Sequence, residues 1–458
     1  MKRLHVGILW LALSACGGGG HSSPEQTDKP PPTVQPATVD EGTLRVLNSL
    51  RYNEHEAPPA DPSNRVAEDP MAAHFGQTLF FDPRLSGPLI DGDNDGGPHA
   101  LGNAGEAGRV CCAGCHIPES GFVDTRSLGQ KISLGSRWIL RRTPSLLEVG
   151  FVPLLNWDGR RDAHWNQALG VFESDREFNS ARLFVATQVF EHHRDDYTAL
   201  FGPLDELADT ERFPRLSPEE AGCQLLPRGE LQCRGKPGDG AEYDAMAEED
   251  QQRVTRVATD VGKALGAYVS QLRCGPGRFD QWLDGDADAM TASEVRGAQL
   301  FVSAGCAECH SGPRLTDDAF HNVGLAPERV AVVFVALDDK GAAEGVAQAM
   351  ADPLNTRGVY SDADPARLPD HIPSQWLGAF RTPSLRCVSS RPSFMRTGQF
   401  SSLEQVVAFF NRGGDPTGYP GESVLQPLGL SDQEQMDLVN FLSALDGPGP
   451  DAELLTPP

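Results

Sequence analysis

A motif of two cysteines three positions apart, followed directly by a histidine, occurs twice in this chain. The first copy is Cys112, Cys115 and His116, and the second is Cys306, Cys309 and His310. This spacing attaches a c-type haem through its two cysteines and gives the iron a histidine ligand. A single motif of this kind also suits a redox dithiol or half of a zinc site. Two motifs in one exported chain favour haem, so the sequence predicts two covalently bound haem c groups, haem 1 and haem 2.

The first residues carry an export signal. Lys2 and Arg3 precede an apolar run at 6–13 that is too short to span a membrane. A small-residue cleavage site follows and ends at Cys16, as in a bacterial lipoprotein. The sequence therefore predicts a signal peptide at 1–16 and a periplasmic protein held to the membrane only by lipid on Cys16. A plain secretory signal with an unrelated cysteine is the alternative.

The composition after Cys16 divides the rest of the chain. Glycine, serine, proline and threonine dominate the start of 17–45, which predicts a flexible tether. No acidic residue directly follows Cys16, which favours the outer membrane. The remainder is long enough for two cores. We expect a mainly α fold with two cytochrome c-like domains, at 46–286 and 287–447, and a disordered tail at 448–458.

Helical spacing of apolar residues predicts helices at 292–303, 403–411 and 431–445, with Thr291 and Ser293 as candidate caps of the first. The chain also contains 48 glycines and 36 prolines, too many for a plain helix bundle. Long irregular loops must therefore enclose the haems. The net charge of −25 argues against nucleic acid as a partner and suits either a basic redox protein or simple solubility.

The chain has ten cysteines, four of which belong to the haem motifs and one of which is Cys16. In an oxidising compartment the others are candidates for disulfides. Cys223 and Cys233 flank a short loop, and a bond between them is predicted. Cys274 and Cys387 are a second candidate pair across the two halves, although connectivity does not follow from sequence. Cys111, next to the first haem motif, is left as a buried free thiol.

Further motifs between about Asp61 and Leu445 follow one another in a familiar order. They are LFFDPRLS at 79–86, WDGR at 157–160, QALG at 167–170 with Glu177 after it, CHSGP at 309–313, FHNVG at 320–324, FMRTG at 394–398 and NRGG at 411–414. The segment RTPSL also occurs in both halves, at 142–146 and 381–385. In order and spacing these motifs resemble the bacterial di-haem cytochrome c peroxidases and their relative MauG.

Cleavage of a peroxide O–O bond on haem needs an open iron position, a group that moves a proton and a side chain that orients the peroxide. The resemblance implies that Glu177 and Gln167 supply the last two over haem 1. It also implies that Trp157 lies between the haems and relays electrons. From the residues alone, a solvated surface acid is the commoner interpretation of Glu177, and core packing is the commoner interpretation of Trp157.

Three departures from the resembled family bear on the haems. No histidine lies between His116 and His164, whereas many members block the first haem with one, and Ile132 stands near that position. Haem 1 is therefore expected to be bound by His116 alone. Phe410 stands where the family has an axial methionine or tyrosine, so haem 2 has Met395 or Met436 as its sixth ligand, or water or nothing. Met395 is preferred.

The third departure concerns calcium, which family members hold between the haems with an asparagine side chain and backbone carbonyls. The asparagine position is Arg142 here. An arginine cannot coordinate calcium, although its charge can replace that of the ion. Calcium is therefore doubtful.

The resemblance implies an oxidoreductase that reduces hydrogen peroxide with electrons from a small donor protein, a cytochrome c or a cupredoxin. A MauG-like oxidase acting on another protein is the alternative within enzymes. A pure electron-transfer cytochrome is the alternative in another class. Relatives of this kind are often dimeric, so a homodimer stays open, but no residue of the sequence indicates an interface.

Overall fold

The structure is a computed structural model and describes residues 39–92, 100–126, 132–327 and 338–458. Ala37–Pro458 form one compact unit, which is mainly helical with little sheet. No helix in these described ranges is both long enough and apolar enough to cross a bilayer. The predicted signal peptide, Cys16 and most of the predicted tether lie outside the described residues.

The first half contains eight α-helices and one hairpin among its described residues. They are α1 (Glu41–Ser49), α2 (Pro70–Phe80), α3 (Cys112–Cys115), α4 (His164–Phe172), α5 (Arg182–His192), α6 (Arg194–Phe201), β1 (Gly222–Leu225), β2 (Leu231–Arg234), α7 (Ala241–Asp244) and α8 (Glu248–Val269). Strands β1 and β2 pair antiparallel, with Cys223 opposite Cys233. The first haem motif forms α3, a single turn between long loops.

The second half likewise has short helices and strands joined by long loops. Its elements are α9 (Arg278–Leu283), α10 (Ala292–Ser303), α11 (Cys306–Cys309), β3 (Phe320–His321), α12 (Ala342–Ala351), β4 (Phe380–Arg381), α13 (Leu403–Asn411) and α14 (Asp432–Ser443). Strands β3 and β4 pair antiparallel. The predicted helix at 292–303 is confirmed as α10, and those at 403–411 and 431–445 correspond to α13 and α14. Thr291, not Ser293, caps α10.

The long helix α8 organises the core of the first half. Its buried residues recur at helical spacing, as in Val254, Val257, Val261 and Leu265, so one face is continuously apolar. Helices α2 and α4 both pack on α8. At Gly262 a β-carbon would come within 2.3 Å of Trp165 O, so only glycine lets α4 approach this closely. The first α-helix after α3 is thereby packed tightly on α8.

The core of the second half is built by α10 and α14. A β-carbon at Gly297 would lie 2.0 Å from Asp437 O, so this pair also depends on a glycine for its close contact. Leu47 of α1 and Phe279 of α9 belong to this core, although both lie in the sequence range assigned to the first domain. The division at 286 therefore stays a prediction.

Two terminal predictions are corrected by the structure. The tether was expected to reach residue 45, but α1 begins at Glu41 because the Asp40 side chain accepts a hydrogen bond from Thr43 N and caps the helix. The tail at 448–458 was expected to be disordered, but it docks on the core. Gln77 Nε2 donates to Glu453 O at 2.6 Å, and Tyr268 Oη donates to Leu454 O at 2.6 Å.

Both predicted disulfides are present. Cys223 is bonded to Cys233 across the hairpin, and Cys274 is bonded to Cys387 between the two halves. Cys111 is a free thiol, and burial raises its pKa. The second bond closes a loop of sequence separation 113, against 10 for the hairpin bond.

Loop-closure entropy makes the two disulfides unequal. We expect the double substitution of Cys274 and Cys387 to serine to lower the free energy of unfolding by about 4–5 kcal/mol, against about 3 kcal/mol for Cys223 and Cys233. Denaturant unfolding of the two double variants, followed by far-UV circular dichroism, measures the difference. A larger loss from the hairpin pair would contradict this expectation.

Candidate active site

The first haem motif is a one-turn helix whose end is fixed by the backbone. His116 N donates to Cys112 O at 2.8 Å, and His116 Nδ1 lies 3.1 Å from Phe122 O. When Nδ1 donates to that carbonyl, Nε2 has no proton and is available to a metal. Burial lowers the pKa of His116 to about 4, which keeps the ring neutral, as ligation requires.

The second motif repeats this geometry. His310 N donates to Cys306 O at 2.9 Å, and His310 Nδ1 lies 2.9 Å from Leu315 O. Phe122 and Leu315, which provide the two acceptor carbonyls, have φ of 60° and 51°. Non-glycine residues rarely adopt this left-handed conformation, and where they do it often marks a functional constraint. Both halves therefore hold their histidine by the same strained turn.

The cavity of the first motif, cavity 1, brings the predicted catalytic side chains together. Besides Cys112, Cys115 and His116, its lining includes Trp157, Gln167 on α4 and Glu177. Gln167 projects from a helix fixed on α8, whereas Glu177 follows α4 in an irregular segment. Gln167 and Glu177, which the resemblance placed over haem 1, and Trp157, which it placed between the haems, thus all line the cavity of the first motif.

The position of Glu177 is set by a second segment, the strap, defined as residues 133–138. Ser136 N donates to Glu177 O at 2.7 Å, and Arg137 N donates to Arg176 O at 3.1 Å. A β-carbon at Gly135 would lie 2.7 Å from Glu177 O, so only glycine permits this contact. The strap also contacts the haem motif, because Leu134 O is 3.7 Å from Cys115 Sγ.

Burial raises the pKa of the Glu177 carboxyl, and the nearby guanidinium groups of Arg160 and Arg161 oppose that rise. A carboxyl whose pKa is raised exchanges its proton closer to neutral pH than an exposed glutamate does. Glu177 therefore has an environment suited to acid–base work and not that of a solvated surface acid.

The cavity of the second motif, cavity 2, contains Met395 and Phe410. Phe410 has no atom that can ligate iron. Met395 has φ of 68° in the turn between Phe394 and Phe400, a conformation that methionine seldom adopts. Met436, the other methionine considered from the sequence, is 45% exposed and does not line the cavity. Met395 is thus the only methionine among the described lining residues.

The two cavities share a wall, defined as the lining residues common to both: Arg142, Thr143, Pro144, Ser145, Val149, Trp157 and Arg381. Trp157 Nε1 donates to Arg142 O at 2.8 Å, and Arg381 N donates to Trp157 O at 2.9 Å. The RTPSL repeats of both halves thus meet at Trp157, the first at its indole and the second at its backbone carbonyl. Trp157 lies between the cavities, as the resemblance implied.

Comparisons with known proteins agree with this geometry. The family model for di-haem cytochrome c peroxidase matches residues 70–288. MauG of Methylorubrum extorquens is 27% identical over 441 residues, covering 96% of this chain and 94% of that protein. Cytochrome-c peroxidase IdrP2 of Denitromonas iodatirespirans is 29% identical, covering 81% of each. Residues 70–288 belong to the di-haem cytochrome c peroxidase family.

A solved structure, the dihaem peroxidase BthA of Burkholderia thailandensis, has a TM-score of 0.58 at 22% identity over 86% of this chain and 90% of that one. At this identity the likeness concerns the fold alone. The matched family and the relatives named peroxidases make the chain an oxidoreductase. Names of both peroxidases and MauG occur among its relatives, so family membership leaves the specific activity open.

The two haem c groups that the family implies fit these residues. Cavity 1 has a volume of about 160 Å³ and cavity 2 of about 790 Å³, and the second lies within the ~300–1,000 Å³ of ordinary ligand pockets. Burial raises the pKa of Cys115 to about 12 and of Cys306 to about 11. A redox dithiol needs a thiolate of low pKa, so these cysteines suit thioether attachment better.

Calcium does not fit. Arg142 fills the asparagine position with a side chain that is 3% exposed, and its Nη2 donates to Asp124 O at 2.6 Å. Calcium takes oxygen ligands, and a guanidinium offers only donors. A calcium ion at this position therefore has no part in the proposed reaction.

Two residues of cavity 1 were not identified from the sequence. His164 lines the cavity, with Nε2 3.2 Å from Val149 O. Arg160 also lines it and donates from Nη1 to Asp158 at 2.9 Å. His164 lies three positions before Gln167 on α4, so the shared helical face could have indicated it. Ile132 does not line the cavity, whereas Ile139 does.

The strap generates a prediction. Gly135→Ala should displace the Glu177 backbone and lower the turnover number for peroxide on the order of 10²-fold, because displacements near 1 Å cost that much in a pre-organised site. The measurement is steady-state peroxide reduction by the holoprotein, with thermal unfolding to exclude global damage.

Gly42→Ala on α1 is the matched control, since its β-carbon would meet only the Asp40 side chain. Wild-type turnover in a folded Gly135→Ala variant would remove the strap from the positioning of Glu177.

Proposed function

We propose that this chain is a periplasmic, lipid-anchored peroxidase that reduces hydrogen peroxide to water with electrons from an external donor. One observation carries the proposal: Gln167 and Glu177 line the same cavity as His116. A protein that only carries electrons requires neither a buried carboxyl nor an orienting amide beside its iron. The overall reaction consumes one peroxide, two electrons and two protons and yields two waters.

Bound haem would supply the iron that accepts peroxide and would hold the oxidising equivalents that peroxide delivers. Glu177 takes the proton from the peroxide oxygen nearer the iron and returns it to the distal oxygen, which leaves as water. The raised pKa of Glu177 supports both steps, because the carboxyl must accept a proton and then release it. The strap holds the carboxyl while it does so.

Gln167 orients the peroxide. Its amide offers both a donor and an acceptor, and α4 carries it on a helix fixed against α8 by Gly262. An orienting group is effective only if it does not move with the substrate. Ile139 and Phe172 supply apolar lining in the same cavity, which limits the access of competing water.

Haem 2, held by Cys306, Cys309 and His310, would receive the donor's electrons, and Trp157 in the shared wall would relay them. Two hydrogen bonds fix Trp157. Its indole Nε1 donates to Arg142 O, and its backbone carbonyl accepts from Arg381 N. For the sixth position of haem 2 we propose Met395, because its left-handed turn directs a thioether-bearing residue into the lining of cavity 2.

The donor is proposed to be a small basic redox protein, a cytochrome c or a cupredoxin. The net charge of −25 supports this choice through long-range attraction. The export signal and Cys16 support lipid anchoring in the periplasm, at the outer membrane. A homodimer is not needed for any of the steps above.

A second candidate is a MauG-like oxidase that withdraws electrons from side chains of another protein. The residues shared by both cavities around Trp157 favour it, because they offer one route for oxidising equivalents between the haems. Phe410 in place of the family's tyrosine argues against it. Rapid peroxide turnover with a reduced small donor, without oxidation of added protein, would decide for the peroxidase.

Glu177→Gln tests the proton carrier. We expect turnover to fall on the order of 10²- to 10⁴-fold, because an amide cannot shuttle a proton. In the wild type, activity should be lost as pH falls through the raised pKa of Glu177, so the acid limb should lie above the ordinary glutamate range near ~4.3.

Glu119→Gln is the matched control, an exposed acid near the first motif. A Glu177→Gln variant with normal activity and an unchanged pH profile would exclude the carboxyl from the mechanism.

Low-temperature EPR of the oxidised holoprotein tests the ligands. We expect a high-spin signal from haem 1 that disappears with stoichiometric peroxide, and a low-spin signal from haem 2. Met395→Leu should convert the second signal to high-spin, whereas Phe410→Leu should not, since neither side chain at 410 ligates iron. Two low-spin haems indifferent to peroxide would overturn the peroxidase and support an electron carrier. A low-spin haem 2 in Met395→Leu would exclude Met395.

A further inference from the structure

Arg142 carries a buried positive charge in the wall between the cavities. Its side chain is 3% exposed, and it lines both cavities. Nη2 donates to Asp124 O at 2.6 Å. Among the residues that the structure describes, none accepts a hydrogen bond from Nη1. A buried guanidinium in the wall thus keeps one nitrogen without an acceptor among the described residues.

The nearest acid does not neutralise this charge. The Asp124 carboxylate accepts from Arg126 at Nε and at Nη2, both at 3.1 Å, and it gives Arg142 only its backbone oxygen. Arg381, the other charged residue of the wall, lies 3.5 Å from Asp318. The wall therefore has more cation than anion. A buried charge without a partner costs several kcal/mol, so an anion must complete this site.

A haem supplies such an anion, since each haem has two carboxylate arms and both cavities border the guanidinium. Charge-assisted bonds between arginine and carboxylate are among the strongest hydrogen bonds in proteins. We propose that Arg142 Nη1 binds a haem carboxylate, and that its guanidinium is a built-in cation which makes calcium unnecessary in this wall. The proposal requires that both haems are bound, but it does not depend on the role of Glu177.

The backbone of Arg142 fixes this charge relative to both haem sites. Arg142 N donates to Arg396 O at 2.8 Å, and Arg142 O accepts from Trp157 Nε1 at 2.8 Å. A metal ion can dissociate, whereas this cation belongs to the chain. A fixed positive charge stabilises the electron-rich state of a nearby redox group, so Arg142 should raise the midpoint potentials of the haems.

The first experiment measures calcium in the wild-type holoprotein by elemental analysis after treatment with EDTA and dialysis, followed by calorimetric titration with calcium. We expect no stoichiometric calcium before or after chelation, no binding isotherm, and midpoint potentials that do not change with the chelator. Bound calcium whose removal shifts the potentials would overturn the proposal, even if no Arg142 variant folds.

The second experiment compares variants by spectroelectrochemical titration. Arg142→Gln should lower the midpoint potentials, and Arg142→Lys, which keeps the charge, should restore most of the wild-type values. Arg182→Gln is the matched control, because Arg182 is buried, pairs with Glu173 and lies outside both cavities. It should lower stability without moving the potentials.

Unchanged potentials in Arg142→Gln would overturn the proposal. A wild-type potential that depends on chloride concentration would also overturn it, because a free anion and not a haem carboxylate would then occupy the site. Neither readout requires peroxide turnover, so a failed peroxidase assay leaves this test intact.

Discussion

Three hydrogen bonds hold the wall that separates the two cavities, and the rest of the site depends on that wall. Arg142 N donates to Arg396 O, Trp157 Nε1 donates to Arg142 O, and Arg381 N donates to Trp157 O. They join residues far apart in the chain. Because each partner also lines a cavity, a shift of one would change both haem sites. The fold can therefore place two large cofactors in register although little of it is regular.

The two predicted iron ligands are also held by little regular structure. Two short helices end at His116 and His310, and each ring is aligned by a carbonyl from a left-handed residue, Phe122 or Leu315. Such a conformation costs on the order of 1–3 kcal/mol and persists only where packing enforces it. Phe122 is fully buried and Leu315 equally so. Apolar packing thus stabilises a turn that the backbone alone would not choose.

Local patterns in the sequence were sufficient for some of this structure. The capping box of Thr291 with Glu294 and the apolar spacing after it define α10. The haem motifs contain the histidines that are expected to bind the iron. The hairpin disulfide followed from a short loop. In each case the informative residues lie within a few positions of one another, so the sequence itself carries the geometry.

Contacts between distant segments could not be predicted in this way. The strap meets Glu177 through Ser136 and Gly135, and the C-terminal tail docks on Gln77. Nothing near residue 453 indicates a partner at residue 77, and the composition of that tail suggested disorder. His164 shares a helical face with Gln167, but this face indicates the cavity only once Gln167 has been placed there. The resemblance, not periodicity, brought Glu177 and Trp157 to notice.

Charge is distributed oppositely on the outside and the inside of this protein. The whole chain has a net charge of −25, yet the described lining of cavity 2 contains more arginines than acids: Arg142, Arg314, Arg381, Arg391 and Arg396 against Glu148, Glu308 and Asp318. Burial lowers the pKa of Arg391 and of Arg396 only to about 10, so both stay charged at neutral pH.

This arrangement separates two electrostatic tasks. The acidic exterior attracts a basic donor over distances near a Debye length. In the proposed reaction, the cationic interior would stabilise haem carboxylates and favour the arrival of an electron at haem 2. Loss of a ligand at position 410 acts in the other direction, because a thioether raises haem potential. An interior rich in buried guanidinium groups would therefore offset a missing thioether, and with Met395 as the sixth ligand it would add to the effect of that thioether.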